Sequence, residues 1–313
     1  SSENDCYSPN NYDDKFRGPM TLRDALAQSI NVPAVKTLYL TGIKDSIDLA
    51  RSMGITTLGD AGQYGLTLVL GGGEVSLLEM TSAYGVFATE GYKNQPVGIL
   101  KVEDSNGKIL EEIKPRPIQV LDAEVTRNIS SILSDNVART PLYGANSIIN
   151  FGARDVAVKT GTTNDYRDAW IIGYTPSIVV GTWAGNNDNT PMAKKVSGLI
   201  VAPMWREFMD EVLKTIPNES FTPPQKNDSY DIKPVLRGKW QGGISSITEN
   251  PTLDPSIPYS SLNEVLTGGV HSILYWVDKY NPRGEMPSDP TSDPQFERWE
   301  YSVVKWAQTQ GFI

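Results

Sequence analysis

The run Val156-Ala157-Val158-Lys159-Thr160-Gly161-Thr162-Thr163 ends an apolar segment with an ammonium, three hydroxyls and a glycine. As a strand it carries these groups to its end, where the glycine lets a ligand approach the backbone closely. A lysine beside hydroxyls suits an anionic group. A bare Lys-Thr-Gly also fits an ordinary strand that closes in a glycine turn. Ser29-Ile30-Asn31 is the second polar cluster, and taken alone it also fits a helix cap. Composition limits what either could do. With one cysteine, Cys6, and one histidine, His271, the chain cannot build a Cys/His zinc site or rely on Cys-His or Ser-His pairs. An active site has to come from Ser, Thr, Lys, Asn, Asp or Glu, with no metal and no cofactor expected. The 28 Lys and Arg against 37 Asp and Glu, net charge -9, are the wrong sign for a phosphate-tracking surface, which excludes nucleic acid as a partner.

Several elements must hold these residues. Leu22, Ala25 and Leu26 mark the apolar face of a helix over 21–30, with Thr21 and Asp24 in a capping pattern. Pro33 turns Val32 away from the helical region and opens a second helix over 33–40. Ser29 to Asn31 then fall at a helix end or tight turn, their side chains free to face a cleft. Lys36, on that second helix, reads as a solvated side chain. A third helix covers 46–53, and Gly71-Gly72-Gly73 breaks the chain before a fourth over 76–89. Apolar runs between Val97 and Ile113 flank Asp104-Ser105-Asn106-Gly107, a hairpin signal. A helix over 123–136 and a loop over 141–152 lead to three strand-like runs, 156–162, 169–174 and 178–184, whose short links favour antiparallel pairing. A helix over 202–216 follows, with Trp205, Phe208, Met209 and Val212 on one stripe.

Past Pro217 the composition shifts to Pro, Asn, Ser and Asp, which reads as a linker over 217–235 between one domain, 1–216, and a C-terminal extension, 236–313, of unassigned fold. The extension holds Trp240, Tyr275, Trp276, Trp299 and Trp306 and a terminal helix; His271 reads as structural. No run of 18 apolar residues occurs.

Together the two polar clusters say more than either alone. Ser29-Ile30-Asn31 precedes Lys159-Thr160-Gly161, and Trp183 lies two strands on. In order and context this resembles the transpeptidase domain of bifunctional, class A penicillin-binding proteins, a family marked by S-x-x-K, S-x-N and K-T-G motifs. The resemblance runs from about Tyr7 to Leu213. It includes Gly18-Pro19-Met20-Thr21-Leu22-Arg23-Asp24-Ala25-Leu26, Gln28-Ser29-Ile30-Asn31-Val32-Pro33-Ala34-Val35, Leu70-Gly71-Gly72-Gly73-Glu74-Val75-Ser76-Leu77-Leu78-Glu79-Met80 and Ala202-Pro203-Met204-Trp205.

The resemblance implies an α/β (α+β) fold of the penicillin-binding transpeptidase and β-lactamase type, an antiparallel sheet flanked by helices. It implies a serine that attacks a D-Ala-D-Ala peptide or a β-lactam and passes the acyl group to an amine, so crosslinking the cell wall. By matching position, Ser29 takes part in proton transfer, Asn31 hydrogen-bonds the substrate amide and Lys159 supports the electrostatics. Thr160 and Thr162 bind the substrate carboxylate, with Gly161 and Thr163 beside them, and the Thr162 N–H forms one side of the oxyanion hole. The implied partners are peptidoglycan stem peptides, lipid-linked glycan strands and β-lactam antibiotics. The implied place is extracytoplasmic, on the outer face of a bacterial membrane, with the anchor outside this chain.

One departure from the pattern matters: no S-x-x-K stands upstream of Ser29. Ser105-Asn106-Gly107-Lys108 sits in the hairpin turn, where the two side chains are not one helical turn apart. Ser302-Val303-Val304-Lys305 falls on the terminal helix, after the matched stretch. The sequence therefore reads as a fragment lacking the nucleophile and the N-terminal part of its domain, inactive by itself. A catalytically dead relative that binds peptidoglycan or a partner protein is the alternative, and a glycan-stacking module using Trp299 and Trp306 is a third.

Overall fold

The computed structural model describes residues 7–225, 233–237 and 271–311; residues 238–270 of the extension, Trp240 among them, and 226–232 of the linker lie outside them. The chain divides into two units, Ser1–Asn10 with Arg23–Gln225, and Asn11–Leu22 with Lys226–Ile313.

The first unit opens with three helices, α1 (Leu22–Ala27), α2 (Asn31–Thr41) and α3 (Ile43–Met53). α1 is shorter than its apolar pattern suggested, because its C-terminus closes by a Schellman turn. Ser29 N–H donates to Leu26 O (3.1 Å), Ile30 N–H donates to Ala25 O (2.9 Å), and Ser29 takes φ +55°. Such a turn needs a left-handed residue after the cap, a place usually held by glycine. α2 begins at Asn31, two residues before Pro33, since the missing proline N–H falls within the first turn, where it has no intrahelical partner to lose.

α4 (Leu77–Ala88) is capped by Ser76, whose hydroxyl accepts from the Glu79 N–H (3.2 Å). Instead of closing a capping box, the Glu79 carboxylate accepts from the Thr56 (2.6 Å) and Thr57 (3.1 Å) hydroxyls, and these hold it below the usual carboxylate range. Short strands β1 (Tyr92–Lys93), β2 (Lys101–Glu103), β3 (Ile109–Glu112) and β4 (Ile118–Gln119) follow; β2 and β3 form the expected hairpin and β1 pairs with β4. Next come α5 (Ala123–Leu133) and α6 (Asn136–Tyr143). α6 corrects the sequence reading, which placed a loop from residue 141. Pro141 forfeits one intrahelical bond, to the Val137 carbonyl, but the buried Arg139 guanidinium donates to Leu133 O and Ile149 O (3.1 Å each), tying the segment down.

Strands β5 (Ala157–Thr162), β6 (Asp168–Tyr174) and β7 (Val179–Gly185) form an antiparallel sheet in the order β5-β6-β7, with Lys159 opposite Ile172 and Gly161 opposite Trp170. Helices α7 (Ser197–Ile200) and α8 (Ala202–Val212) close the unit. Both faces of the sheet are covered. Val158, Ala169 and Ile171 pack with Val201, Ala202, Trp205 and Met209 on one side. Ala157 and Tyr174 pack with Ala88 of α4 and Leu133 of α5 on the other. Of the expected α8 stripe, Trp205 and Met209 are buried, but Phe208 is 53% exposed.

In the second unit, α9 (Ile273–Trp276) and α10 (Phe296–Gln310) are the α-helices among the described residues. The His271 ring stacks on Tyr275 (3.6 Å between centroids) and shares a 2.5 Å hydrogen bond with Glu300, which also accepts from the Ser272 N–H (2.9 Å). The Trp306 ring packs so close to Gly18 that a Cβ there would fall 2.1 Å from it.

Candidate active site

Among the described residues β5 pairs only with β6, so one edge of its backbone is open. Side chains alternate along a strand. Lys159 therefore shares the face of Ala157, toward α4 and α5, while Thr160 and Thr162 share that of Val158, toward α8. The Lys159 ammonium donates to Ser29 Oγ (2.7 Å) and to the Thr160 carbonyl (2.6 Å). Both acceptors are neutral, so they do not offset the loss of water, and burial lowers the lysine from 10.5 to about 8. Its charged and neutral forms are then both accessible near neutral pH, as a group that passes a proton through the Ser29 hydroxyl requires.

The backbone of β5 is equally directed. Thr163 N–H donates to Asp168 O (3.2 Å), toward β6. Because N–H direction alternates along the strand, the Thr162 N–H points to the open edge. The three threonine hydroxyls are each held by the protein. Thr160 Oγ1 bonds Tyr143 OH (2.7 Å), and burial pushes that phenol up. Thr162 Oγ1 bonds Ser197 Oγ (2.5 Å) and accepts from the Ser197 N–H (3.1 Å). Thr163 Oγ1 donates to the Asp168 carboxylate (2.8 Å) and accepts from the Asp168 N–H (2.9 Å), while the other carboxylate oxygen of Asp168 accepts from the Trp183 indole (2.9 Å). Gly71, at φ +101°, packs against Thr163; a Cβ there would come within 3.1 Å of its methyl.

Ser29, Lys159 and Thr160 are thus brought together, and Thr162 sits two residues along the same strand. Asn31 Nδ2 donates to the Asn10 carbonyl (3.1 Å). Tyr143, Asp168 and Ser197 were not singled out in the sequence. Each lies outside the motifs, although Asp168 follows Thr163 by five residues and Ser197 precedes Ala202-Pro203-Met204-Trp205 by five. Lys36 is half-buried rather than solvated, and burial lowers its pKa. Neither other Ser-x-x-Lys has the setting of a nucleophile: Ser105 lies in an exposed turn, and exposed Ser302 spends its proton on the Arg298 carbonyl of its own helix (3.0 Å).

Residues 2–210 match the model of the penicillin binding protein transpeptidase domain. Penicillin-binding protein 1A of Aquifex aeolicus is 36% identical over 269 residues, 85% of this chain and 36% of that protein. Penicillin-binding protein 2D of Bacillus subtilis is 33% identical over 239 residues, 74% of this chain and 34% of that protein. The chain spans about a third of the length of these relatives. Among solved structures, penicillin-binding protein 1A from Haemophilus influenzae superposes with a TM-score of 0.62 at 26% identity, over 74% of this chain and 40% of that one. The Mycobacterium tuberculosis PonA1 protein in complex with penicillin V gives 0.61 at 26% identity, over 69% and 62%. The fold is that of the penicillin-binding transpeptidases. The chain belongs to the penicillin-binding protein transpeptidase family, in its class A branch.

Proposed function

We propose that this chain carries the S-x-N and K-T-G part of a peptidoglycan D,D-transpeptidase site, which crosslinks stem peptides of nascent glycan strands through an acyl-serine when a Ser-x-x-Lys is supplied from outside these residues. The observation that carries this reading is the 2.7 Å bond from the Lys159 ammonium to Ser29 Oγ, beside an edge strand whose Thr162 N–H faces outward. In this scheme Ser29 and Lys159 move the proton between the attacking hydroxyl and the leaving or incoming amine. Asn31 holds the substrate amide, exchanging its exposed bond to Asn10 for one to the peptide. The Thr162 N–H stabilises the oxyanion, and Thr160 with Thr162 receives the terminal carboxylate. A β-lactam, which carries both a reactive amide and a carboxylate, occupies the same positions. Crosslinking of stem peptides places the reaction on the extracytoplasmic side of the membrane.

The 313-residue chain alone is then inert toward penicillin, since its groups assist an attack but do not supply the attacking oxygen. Fluorescent penicillin followed by mass mapping tests this. No label is expected on the chain alone, and label on the serine of a Ser-x-x-Lys is expected once the chain is extended to include one. A stable adduct on any serine of the 313 residues would overturn the reading of inactivity; no label on the extended protein would overturn the transpeptidase reading.

A further inference from the structure

Thr162 is the last paired residue of β5, opposite Ala169, and strand ends fray unless something holds them. The next pair across the two strands, Thr163 and Asp168, is joined partly through side chains. Thr163 N–H donates to Asp168 O (3.2 Å), as a ladder requires, but the Thr163 carbonyl accepts from Tyr166 N–H instead (3.2 Å). The side chain takes the carbonyl's place: Asp168 N–H donates to Thr163 Oγ1 (2.9 Å), and that hydroxyl donates to the Asp168 carboxylate (2.8 Å). An amide N–H can only donate, so the hydroxyl keeps its one proton for the carboxylate. The other carboxylate oxygen accepts from the Trp183 indole of β7 (2.9 Å). Gly185, opposite Asp168 on β7, leaves room for that indole, since a Cβ there would lie 2.4 Å from the ring. One side chain of the middle strand thus ties both outer strands, on the face that also carries Lys159. The turn closed by this knot holds Asp165 and Tyr166 at φ +59° and +58°, a left-handed pair that persists only where its surroundings enforce it.

We propose that Asp168 is a positioning residue of the site: it pins the end of β5 through Thr163 and fixes it against β7 through Trp183, so that the Thr162 N–H keeps its direction at the open edge while charge builds on the oxygen under attack. The role deepens the transpeptidase reading and rests on it; the knot of hydrogen bonds does not. Asparagine in place of Asp168 has nearly the same shape but one acceptor oxygen, and its amino group only donates. Either the Thr163 hydroxyl or the Trp183 indole then loses its acceptor.

Saturation kinetics of fluorescent penicillin on the chain extended to include a Ser-x-x-Lys test the role, because they separate the acylation rate constant from the half-saturating concentration. Losing an oxyanion donor costs about 10²–10³ in rate and misdirecting it costs part of that. Asp168→Asn should therefore slow acylation by about tenfold or more, with the half-saturating concentration within about threefold of its original value. Thr163→Val should slow it likewise, and Thr163→Ser, which keeps the hydroxyl, should recover most of the lost rate. In the 313-residue chain, the Trp183 indole proton, assigned by its disappearance in Trp183→Phe, should exchange slowly with water and faster in Asp168→Asn. An unchanged rate in Asp168→Asn or Thr163→Val overturns the proposal, as does a change confined to the half-saturating concentration. A Trp183 indole proton that exchanges like free indole in the unaltered chain overturns it even if no variant folds. Absence of label from the unaltered extended protein would instead overturn the transpeptidase reading and this role together, whereas label there with no slowing in Asp168→Asn overturns this role alone.

Discussion

The β5–β7 sheet and the β2–β3 hairpin use the same antiparallel pairing and differ in what lies against them. Every residue of β2 and β3 is exposed, Val102, Ile109 and Leu110 among them. In β6, by contrast, Ala169, Ile171 and Tyr174 are fully buried between helices on both faces. The hairpin's Lys101 meets Glu103 in solvent (2.6 Å), whereas Lys159 is stripped of water and given two neutral oxygens. A second layer is what turns a strand lysine from a surface charge into a group with an altered proton affinity.

The largest blow to this contrast should come from Trp205→Ala. Trp205 is fully buried, its indole donates to Val180 O (3.0 Å) and its ring meets Phe151 edge-on. Truncation is expected to cost about 3–5 kcal/mol, measured by urea unfolding; a loss under about 1 kcal/mol would mean that the two-sided core is not what sets the sheet apart.

Lys159 should leave a pH signature. Its pKa is depressed by folding, from 10.5 to about 8, so below about pH 8 both states are charged and the full penalty is present. Between about 8 and 10.5 the folded chain releases a proton that the unfolded chain keeps, so stability rises with pH, by up to about 3 kcal/mol in all. The difference in unfolding free energy between the natural chain and Lys159→Met, followed from about pH 7 to about pH 9.5, should show this rise; a flat difference would remove the altered lysine from the comparison.

Gly173→Ala sharpens the packing argument, since the added Cβ would lie 2.3 Å from the Trp205 ring. A loss of about 1–3 kcal/mol is expected, and it should shrink in the Trp205→Ala background, where the obstacle is gone. At the other extreme, Leu110→Ser on the hairpin, where Leu110 is 62% exposed, should change thermal stability by no more than about 0.5 kcal/mol.

The sheet was legible because its three runs are apolar, short and closely linked, and periodicity reports burial well. The site was half legible: Ser29 and Lys159 announce themselves by motif, and the structure does bond them. What escaped was held by tertiary contact. Nothing local marks Ser197 as the partner of Thr162, 35 residues away, or Asp168 as the residue that ties Thr163 to Trp183. Pro141 misled because its lost N–H bond argues against a helix, while the Arg139 bonds to the Leu133 and Ile149 carbonyls that hold the segment are tertiary contacts that no local pattern announces.

The left-handed backbone of Ser29 bears on how such a domain responds to selection. A non-glycine residue there carries about 1 kcal/mol or more of backbone strain that glycine would not. Screening variants for heat resistance alone should therefore enrich Ser29→Gly, a change that relaxes the α1 terminus while deleting the hydroxyl that Lys159 holds. Under the proposed function, robustness and chemistry draw on the same residue, and a directed-evolution campaign that scores only the first will erase the second.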